Sequence, residues 1–344
     1  MRKAKLPKRG ATLRIRPRFA EVWADETPDP DPRTEYIPEP CRSAISRNNS
    51  PDVPFSLSIN PYRGCEHGCI YCFARPTHAY WDLSPGTDFE TKIFYKPNIA
   101  DQLVRDLAKI GRLETPIAVG INTDAYQPIE RKLKLTRRIL SVLWEARAPC
   151  TIVTKSALIV RDLDLLAKMA QAGLVHVSFS ISTLDAKLAR TMEPRASTPS
   201  RRLWAMQQLA QAGVPVGVMA APIIPKLTEH ELEGILKAAR AHGAQWAAYV
   251  VLRLPHEIAP LFEAWLEKHR PDAKAAVLRA VRDLRAGKLY ESTFGVRMTG
   301  RGPRAELIAR RFALAHKALG FAEPPALDLA RFRPPGQGEQ ISLF

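Results

Sequence analysis

The sequence predicts an α/β fold in which six short parallel strands alternate with amphipathic helices. Short apolar runs rich in β-branched residues recur along the chain, and segments with helical hydrophobic spacing lie between them. A near-continuous apolar run is typical of a parallel strand that is buried on both faces. The strands are predicted at residues 55–59, 117–121, 150–154, 174–181, 214–220 and 245–251.

The helices between these strands have recognisable ends. Asp162 is expected to cap a helix that stops at Gly173, where glycine suits a left-handed terminus. Thr228 and Glu231 have the spacing of a capping box, and Gly243 ends the helix that they begin. Repeated right-handed βα units fit either a doubly wound sheet or an open barrel. In both folds, functional residues lie at the carboxyl ends of the strands.

Length and composition limit the possible classes of protein. A chain of 344 residues, 46% of them hydrophobic, has enough apolar content for one large barrel or two modest domains. No apolar run reaches the roughly 18 residues of a membrane span, and the first residues lack the apolar stretch of a secretory signal. Five cysteines in a chain of this length do not suggest a disulfide framework. We therefore expect a cytoplasmic protein without membrane contact.

The chain is strongly basic, with a formal net charge of +16. Eight lysines and arginines precede the first acidic residue, Glu21, so residues 1–20 form a basic arm. Residues 25–40 are acidic and rich in proline, which favours an extended linker, and residues 42–52 are expected to lack regular structure. Because phosphates release counterions when cations neutralise them, this charge predicts a nucleic-acid partner.

Three cysteines within eight positions are the chemically most informative feature. Cys65, Cys69 and Cys72 follow the first predicted strand, and their thiolates could each bind a different iron of one cluster. A cluster held by three thiolates leaves one iron open for another ligand. Cys41 and Cys150 lie far away in sequence and are expected to be buried structural thiols.

A structural zinc site is the alternative interpretation of the same cysteines. Four tetrahedral ligands would be complete if His67 or His78 joined the three thiolates. The protein would then be a nucleic-acid-binding protein without enzymatic activity.

The motif from Cys65 to Cys72, with Tyr71 before the last cysteine, resembles that of the radical S-adenosylmethionine (SAM) superfamily. The resemblance covers about residues 55–255. It implies a partial (β/α)6 barrel, a [4Fe-4S] cluster, and SAM bound to the open iron through its amino and carboxylate groups. It further implies reductive cleavage of SAM to a 5′-deoxyadenosyl radical, with an electron donor such as flavodoxin or ferredoxin.

Contacts to SAM can be expected by position at the carboxyl ends of the strands. Where the superfamily often has a Gly-Gly-Glu-like segment, this chain has the sequence from Gly120 to Asp124, and the fourth strand ends in serines. Residues 219–222 would flank the adenine. The candidate contacts to SAM are Tyr71, Asn122, Thr123, Asp124, Ser180 and Ser182.

Longer segments resemble a bacterial radical SAM group related to spore photoproduct lyase. The matching segments are residues 60–78, 122–130, 192–195 and 221–225. Spore photoproduct lyase reverses a thymine dimer in DNA. Two departures argue against that reaction in this chain: Ile121 stands where the lyase has a hydrogen-donating cysteine, and Phe73 stands where it has a tyrosine. The resemblance therefore implies a related reaction on a nucleic acid, with an RNA-modifying enzyme as the alternative.

The carboxyl terminus resembles the short peptide with which bacterial repair proteins bind the sliding clamp. Leu343 and Phe344 would fill an apolar pocket, and Gln340 would form hydrogen bonds at its edge. Such a tether favours DNA over RNA as the polyanion. The chain is thus expected to comprise an arm and linker (1–53), a radical SAM core (54–256), a helical extension (257–335) and a flexible tail (336–344).

Overall fold

The computed structural model describes residue 10 and residues 34–336 of the chain. Its centre is a seven-stranded sheet in the order β10-β9-β8-β7-β6-β3-β2, and a smaller sheet has the order β1-β5-β4. The strands are β1 (Glu35–Pro38), β2 (Ile45–Arg47), β3 (Leu57–Ile59), β4 (Tyr62–Arg63), β5 (Lys92–Tyr95), β6 (Ile117–Val119), β7 (Cys150–Thr154), β8 (Val175–Ile181), β9 (Val216–Ile223) and β10 (Trp246–Val251).

Helices connect the strands of the large sheet and continue after its last strand. The α-helices are α1 (Asp88–Thr91), α2 (Ile99–Leu107), α3 (Glu130–Leu133), α4 (Leu135–Glu145), α5 (Leu163–Gln171), α6 (Ala186–Met192), α7 (Pro199–Gln211), α8 (Leu232–Ala241), α9 (Ile258–His269), α10 (Pro271–Asp283) and α11 (Pro303–Ala318). Short 3₁₀ helices lie at Arg75–Trp81, Ala157–Asp162, Glu229–Glu231 and Leu329–Arg331.

All six predicted strands are present, as β3 and β6 to β10. Each pairs in parallel with the next one along the chain, so the sheet grows by successive βα units. Among the described residues the sheet stays open, with β10 at one edge and β2 at the other. This is the architecture of a partial barrel, and the predicted fold class is confirmed.

The segment before the first predicted strand differs from the expectation. Residues 42–52 contain β2, which pairs antiparallel with β3 and protects that edge of the sheet. Residues 35–38, expected in an extended linker, form β1 and pair in parallel with β5. Both strands are short and mostly exposed, and their pairing depends on distant partners rather than on a long apolar run of their own. The predicted basic arm, apart from Gly10, lies outside the described residues.

The predicted capping box is wrong, although the helix exists. The Glu231 carboxylate accepts hydrogen bonds from Leu184 N at 2.7 Å and Thr183 Oγ1 at 2.5 Å, instead of turning back to its own helix. Thr228 Oγ1 accepts from Ile224 N at 3.0 Å. Asp162 occupies the predicted N-cap position of α5, but its carboxylate pairs with arginines rather than with helix N–H groups.

The core lies between the sheet and the helices that cover it. Leu103 of α2, Ile139 of α4 and Leu166 of α5 are fully buried, as the helical spacing of their segments requires. Burial of each such side chain contributes about 2 kcal/mol. The region after β10 is helical, with α9 and α10 packed together and α11 on α8. In the described part of the chain, no helix is both long and apolar enough to cross a membrane.

Candidate iron–sulfur and SAM site

The cysteine loop follows β3 and β4, on the side of the sheet where the parallel strands end. This side is termed the carboxyl edge, and the side where the parallel strands begin is termed the amino edge. Cys65 and Cys69 are buried and Cys72 is half-buried. The turn is closed by hydrogen bonds from Gly68 N to Cys65 O (3.4 Å) and from Cys72 N to Cys69 O (3.2 Å). Gly68 has φ +68°, and a Cβ there would lie 2.8 Å from a Glu90 carboxylate oxygen. The loop conformation therefore requires glycine at this position.

A buried arginine supports the loop from behind. Arg75 Nε donates to Cys69 O at 2.9 Å, and its Nη2 forms an ion pair of 2.5 Å with the buried Glu90. Gly10 N donates to the other oxygen of Glu90 at 3.0 Å, and a Cβ on Gly10 would clash with Gly68 O, so Gly10 lies against the cysteine loop. Sequence reasoning missed Arg75 and Glu90. Because breaking a buried pair is costly, this ion pair fixes the loop in one conformation.

The chemistry of the loop suits an iron–sulfur cluster. Burial raises the pKa of the Cys65 thiol, and neighbouring Asp124, Cys69 and Cys72 raise it further. Burial likewise raises the pKa of Cys69. Deprotonated thiols in such surroundings need a cationic partner, which iron supplies.

The zinc alternative would need His67 or His78 to join the three thiolates as a fourth ligand. His67 Nδ1 lies 3.4 Å from Asp124 Oδ2, and His78 Nε2 lies 3.2 Å from Lys92 O. Burial lowers the pKa of His78 to about 4. Each histidine thus engages one ring nitrogen, and Nδ1 of the buried His78 has no hydrogen-bond partner among the described residues.

In the segment after β6, the Asp124 carboxylate connects the ends of neighbouring strands. Asp124 accepts hydrogen bonds from Thr154 Oγ1 (2.8 Å), Tyr126 N (2.9 Å) and Lys155 N (2.7 Å). Burial opposes its ionisation, but His67 and these donors lower the pKa of Asp124 to about 2. The carboxylate is thus ionised and holds the end of β7 against the β6 loop.

The other two candidates after β6 have different surroundings. Thr123 is buried, and its hydroxyl donates to Tyr62 O at 2.8 Å. Asn122 is half-buried and is held through its backbone N–H, which donates to Asn60 Oδ1 at 2.8 Å.

Lys155, which sequence reasoning missed, carries a positive charge at the end of β7. Its Nζ donates to Ser180 Oγ at 2.9 Å and lies 5.9 Å from the centre of the Tyr71 ring. Ser180 Oγ in turn donates to Ala221 O at 2.9 Å. A cation is thereby placed between two of the predicted SAM contacts. The sequence does contain a signal for Lys155, because this residue directly follows a predicted strand.

A buried acid links the remaining candidates. Glu193 accepts hydrogen bonds from the Tyr71 hydroxyl and from Ser182 Oγ, the latter at 2.8 Å. Its second oxygen pairs with Arg202, whose Nη1 also donates to Ser180 O at 2.9 Å. Both charged side chains are almost fully buried. The structure therefore brings Tyr71, Ser180 and Ser182 together through two residues to which sequence reasoning assigned no role.

An open, mainly parallel sheet with a three-cysteine loop at its carboxyl edge is the arrangement of a class of iron–sulfur enzyme. The family model of the radical SAM superfamily matches residues 59–239, more than half of the chain. The protein belongs to the radical SAM superfamily.

Relatives in other organisms extend this match beyond the motif. An uncharacterized protein of Mycobacterium tuberculosis (strain H37Rv) is 37% identical over 235 residues, covering 67% of this chain and 69% of that protein. An uncharacterized protein of Methanocaldococcus jannaschii is 32% identical over 199 residues, covering 58% of this chain and 71% of that protein.

The fold is similar to solved structures of spore photoproduct lyase. The lyase complexed with dinucleoside spore photoproduct has a TM-score of 0.60 and 17% sequence identity, covering 83% of this chain and 80% of that chain. A mutant with bound AdoMet (SAM) and the same dinucleoside has a TM-score of 0.59 and 18% identity, with the same coverage. At this identity the likeness establishes the shared fold.

Proposed function

We propose that this radical SAM enzyme cleaves SAM reductively at a [4Fe-4S] cluster and acts on a nucleic acid, DNA in preference to RNA. The cleavage of SAM is supported by the loop at the carboxyl edge that holds the buried Cys65 and Cys69 and the half-buried Cys72. Lys155 stands beside that loop and supplies the charge that a carboxylate ligand requires.

The residues present fit both groups. The three thiolates would hold the cluster, and its open iron would bind the amino and carboxylate groups of SAM. When bound, the cluster supplies the electron that splits the sulfonium to methionine and a 5′-deoxyadenosyl radical. A donor such as flavodoxin or ferredoxin must deliver that electron.

The chain's own residues bind and orient SAM in this proposal. Lys155 pairs with the methionine carboxylate, and Ser180 positions the Lys155 ammonium through their 2.9 Å hydrogen bond. Glu193 and Arg202 orient Tyr71 and Ser182 toward the same space. Asn122, which is half-buried, contributes a polar contact from the β6 loop, and its backbone N–H is held by Asn60 Oδ1. Thr123 and Asp124 fix the same loop to Tyr62 O and to Lys155 N. Burial of Cys65 and Cys69 limits the access of water that would quench a radical.

Two observations support a nucleic-acid substrate. They are the positive net charge of the chain and the similarity of its fold to spore photoproduct lyase. The net charge of +16 favours a polyanion. The similar lyase structure is complexed with dinucleoside spore photoproduct. Ile121 and Phe73 depart from the lyase, so we propose a different reaction on DNA; RNA modification is the second candidate.

The same proposal assigns a role to each segment of the chain. Residues 54–256 form the catalytic core, and the helices of residues 257–335 extend it. Residues 1–53 begin with the basic arm, and residues 336–344 form the tail. Cluster assembly and the proposed electron donors place the enzyme in the cytoplasm, where thiols stay reduced.

The decisive experiment is anaerobic. The cluster is reconstituted, reductant and SAM are added with and without DNA or RNA, and 5′-deoxyadenosine is measured. We expect product from the wild-type chain and none from Cys65→Ala, Cys69→Ala or Cys72→Ala. Cys150→Ala is the matched control, because Cys150 lies in the core at the start of β7. Tightly bound zinc without SAM affinity would overturn the proposal and favour the non-enzymatic binding protein.

The comparison of DNA with RNA decides the substrate class. We expect binding to both to weaken with salt, and DNA to bind more tightly and to increase 5′-deoxyadenosine formation. A stimulation by RNA alone would establish the second candidate instead.

The sliding-clamp tether is a separate part of the proposal. Gln340, Leu343 and Phe344 lie outside the described residues, and their sequence alone supports it. Burial of Leu343 and Phe344 in a clamp pocket would contribute roughly 3–5 kcal/mol before ordering costs. Fluorescence polarisation of a labelled 336–344 peptide with purified clamp tests this directly. A Leu343→Ala/Phe344→Ala peptide that binds equally well would contradict the tether.

A further inference from the structure

Two exposed phenylalanines, one of them directly after the cysteine loop, each have an arginine against the ring. Phe73 directly follows Cys72 and is 46% exposed; Arg253 Cζ lies 5.2 Å from its ring centre. Phe294 is 53% exposed, and Arg297 Cζ lies 4.6 Å from its ring centre. Core packing explains neither ring. These four residues are termed the aromatic–arginine surface.

Arg253 is the central charge of this surface. It lies two residues beyond the end of β10, on the edge of the sheet that carries the cysteine loop. It is half-buried, and burial together with the neighbouring Arg297 lowers its pKa. Asp52, the carboxylate that faces both arginines, is bound by Arg297, and Arg253 forms no ion pair with any described residue. A partly desolvated cation that forms no ion pair of its own favours an anionic ligand.

The segment that carries Phe294 and Arg297 is held firmly in place. Arg285 is fully buried and bridges that segment to the end of β10. Val251 N donates to Met298 O at 2.8 Å, and Asp52 accepts from Gly295 N at 2.7 Å. The carbonyl oxygens that accept from Arg285 are those of Val251 (3.3 Å), Leu252 (2.9 Å), Val296 (3.2 Å) and Arg297 (2.8 Å). The surface is therefore preorganised, which lowers the entropy cost of binding.

We propose that the aromatic–arginine surface binds an unstacked segment of the DNA strand, with bases on Phe73 and Phe294 and a phosphate on Arg253. This inference rests on the proposed function and specifies how its substrate is held. Aromatic rings beside arginines are the arrangement that binds single-stranded nucleic acid without sequence preference. Chemistry on a base also requires that the base leave the duplex stack. Phe73, next to a cluster cysteine, would present that base to the radical.

The test uses the cluster-loaded full chain and a fluorescein-labelled DNA strand of about 15 nucleotides, alone and in a duplex. Affinity is measured by anisotropy at several salt concentrations. We expect the single strand to bind about tenfold more tightly than the duplex. Phe73→Leu and Phe294→Leu, which keep apolar volume and lose the ring, should each weaken binding roughly tenfold with an unchanged salt slope. Arg253→Gln should weaken it about as much and reduce the slope by about one.

Arg147→Gln is the matched control. Arg147 lies 3.7 Å from the Trp144 ring centre, but before β7, at the opposite edge of the sheet. It should bind the single strand as the wild type does.

The possible outcomes distinguish failure of this inference from failure of the proposed function. If the wild type binds the strand and the three variants bind it equally well, this inference is overturned while the proposed function stands. If the wild type binds neither DNA form yet cleaves SAM, the nucleic-acid part of the proposed function fails first. Because both phenylalanines are exposed, their variants remain informative even if Arg253→Gln does not fold.

Discussion

The amino edge and the carboxyl edge of the large sheet differ in chemistry, although they are the two ends of the same strands. At the amino edge, β7 begins with the buried Cys150, and His176 of β8 packs edge-on against Trp246 of β10 at 4.9 Å. At the carboxyl edge, β7 is followed by Lys155 and β8 carries Ser180 near its end. One edge is closed mainly by apolar and aromatic contacts, and the other by buried ions and hydroxyls.

The carboxyl edge therefore contains interactions that contribute less to stability than the apolar contacts of the amino edge do. A buried ion pair such as Glu193 with Arg202 stabilises a structure less than apolar packing of similar volume does. Such pairs nevertheless gather at the carboxyl edge, where Arg75 and Glu90 support the cysteine loop in the same way. In βα folds the carboxyl edge supports chemistry and the amino edge supports stability. The four predictions below test that separation.

The largest expected difference concerns two cysteines at opposite edges. Cys72→Ala should abolish stable cluster binding, because one of three thiolates is lost, whereas Cys150→Ala should keep the full iron content. Iron and sulfide analysis with visible absorbance after anaerobic reconstitution measures both. Equal iron loss in the two variants would contradict the assignment of the cluster to the carboxyl edge.

Removal of a buried charge should destabilise the fold strongly. Glu193→Ala leaves Arg202 buried without its partner, so we expect a loss of about 3–5 kcal/mol in unfolding free energy. Glu233→Ala breaks the partly exposed pair with Arg311 and should cost at most about 1 kcal/mol. Urea denaturation of the metal-free chains gives both values. Similar losses would remove the distinction between the buried network and an ordinary surface pair.

Replacement of Lys155 should affect SAM binding more than stability. Lys155→Met removes a charge-assisted contact to the SAM carboxylate, so affinity should fall about 10- to 100-fold. Lys168→Met, on the exposed face of α5, should leave SAM affinity unchanged. Anaerobic calorimetry with the cluster-loaded chain compares them. Wild-type affinity in Lys155→Met would assign the carboxylate to another residue.

The smallest effect is a pH dependence at the amino edge. Burial lowers the pKa of His176 from its ordinary value of 6.5 to about 4. The unfolded chain therefore gains a proton near pH 6.5, which the folded protein gains only near pH 4. Stability is lost as the pH falls through that window.

The variant His176→Phe isolates this contribution. Between pH 7 and pH 5 the wild type should lose about 1–2 kcal/mol more stability than the variant, because phenylalanine takes up no proton. Urea midpoints at the two pH values measure this difference. An identical pH dependence would show that His176 is protonated in the folded state, or that it contributes nothing.

Local patterns in the sequence determined the strands and the cysteine motif. Apolar runs predicted all six parallel strands because a buried strand must be apolar wherever its neighbours lie. The spacing of Cys65, Cys69 and Cys72 indicated a cluster because one short loop supplies all three ligands. The polar residues at the ends of β6 and β8 were found by the same reasoning, since parallel strands end at one edge.

Only the tertiary structure decided the contacts between segments distant in sequence. Glu193 reaches back to Tyr71 across 122 residues, and Glu231 leaves its predicted cap for Thr183, 48 residues earlier. Likewise, β1 and β2 form because β5 and β3 offer them partners. The physical reason is the same in each case. A polar group takes whichever hydrogen-bonding partner the folded chain brings near, and no local pattern encodes that choice.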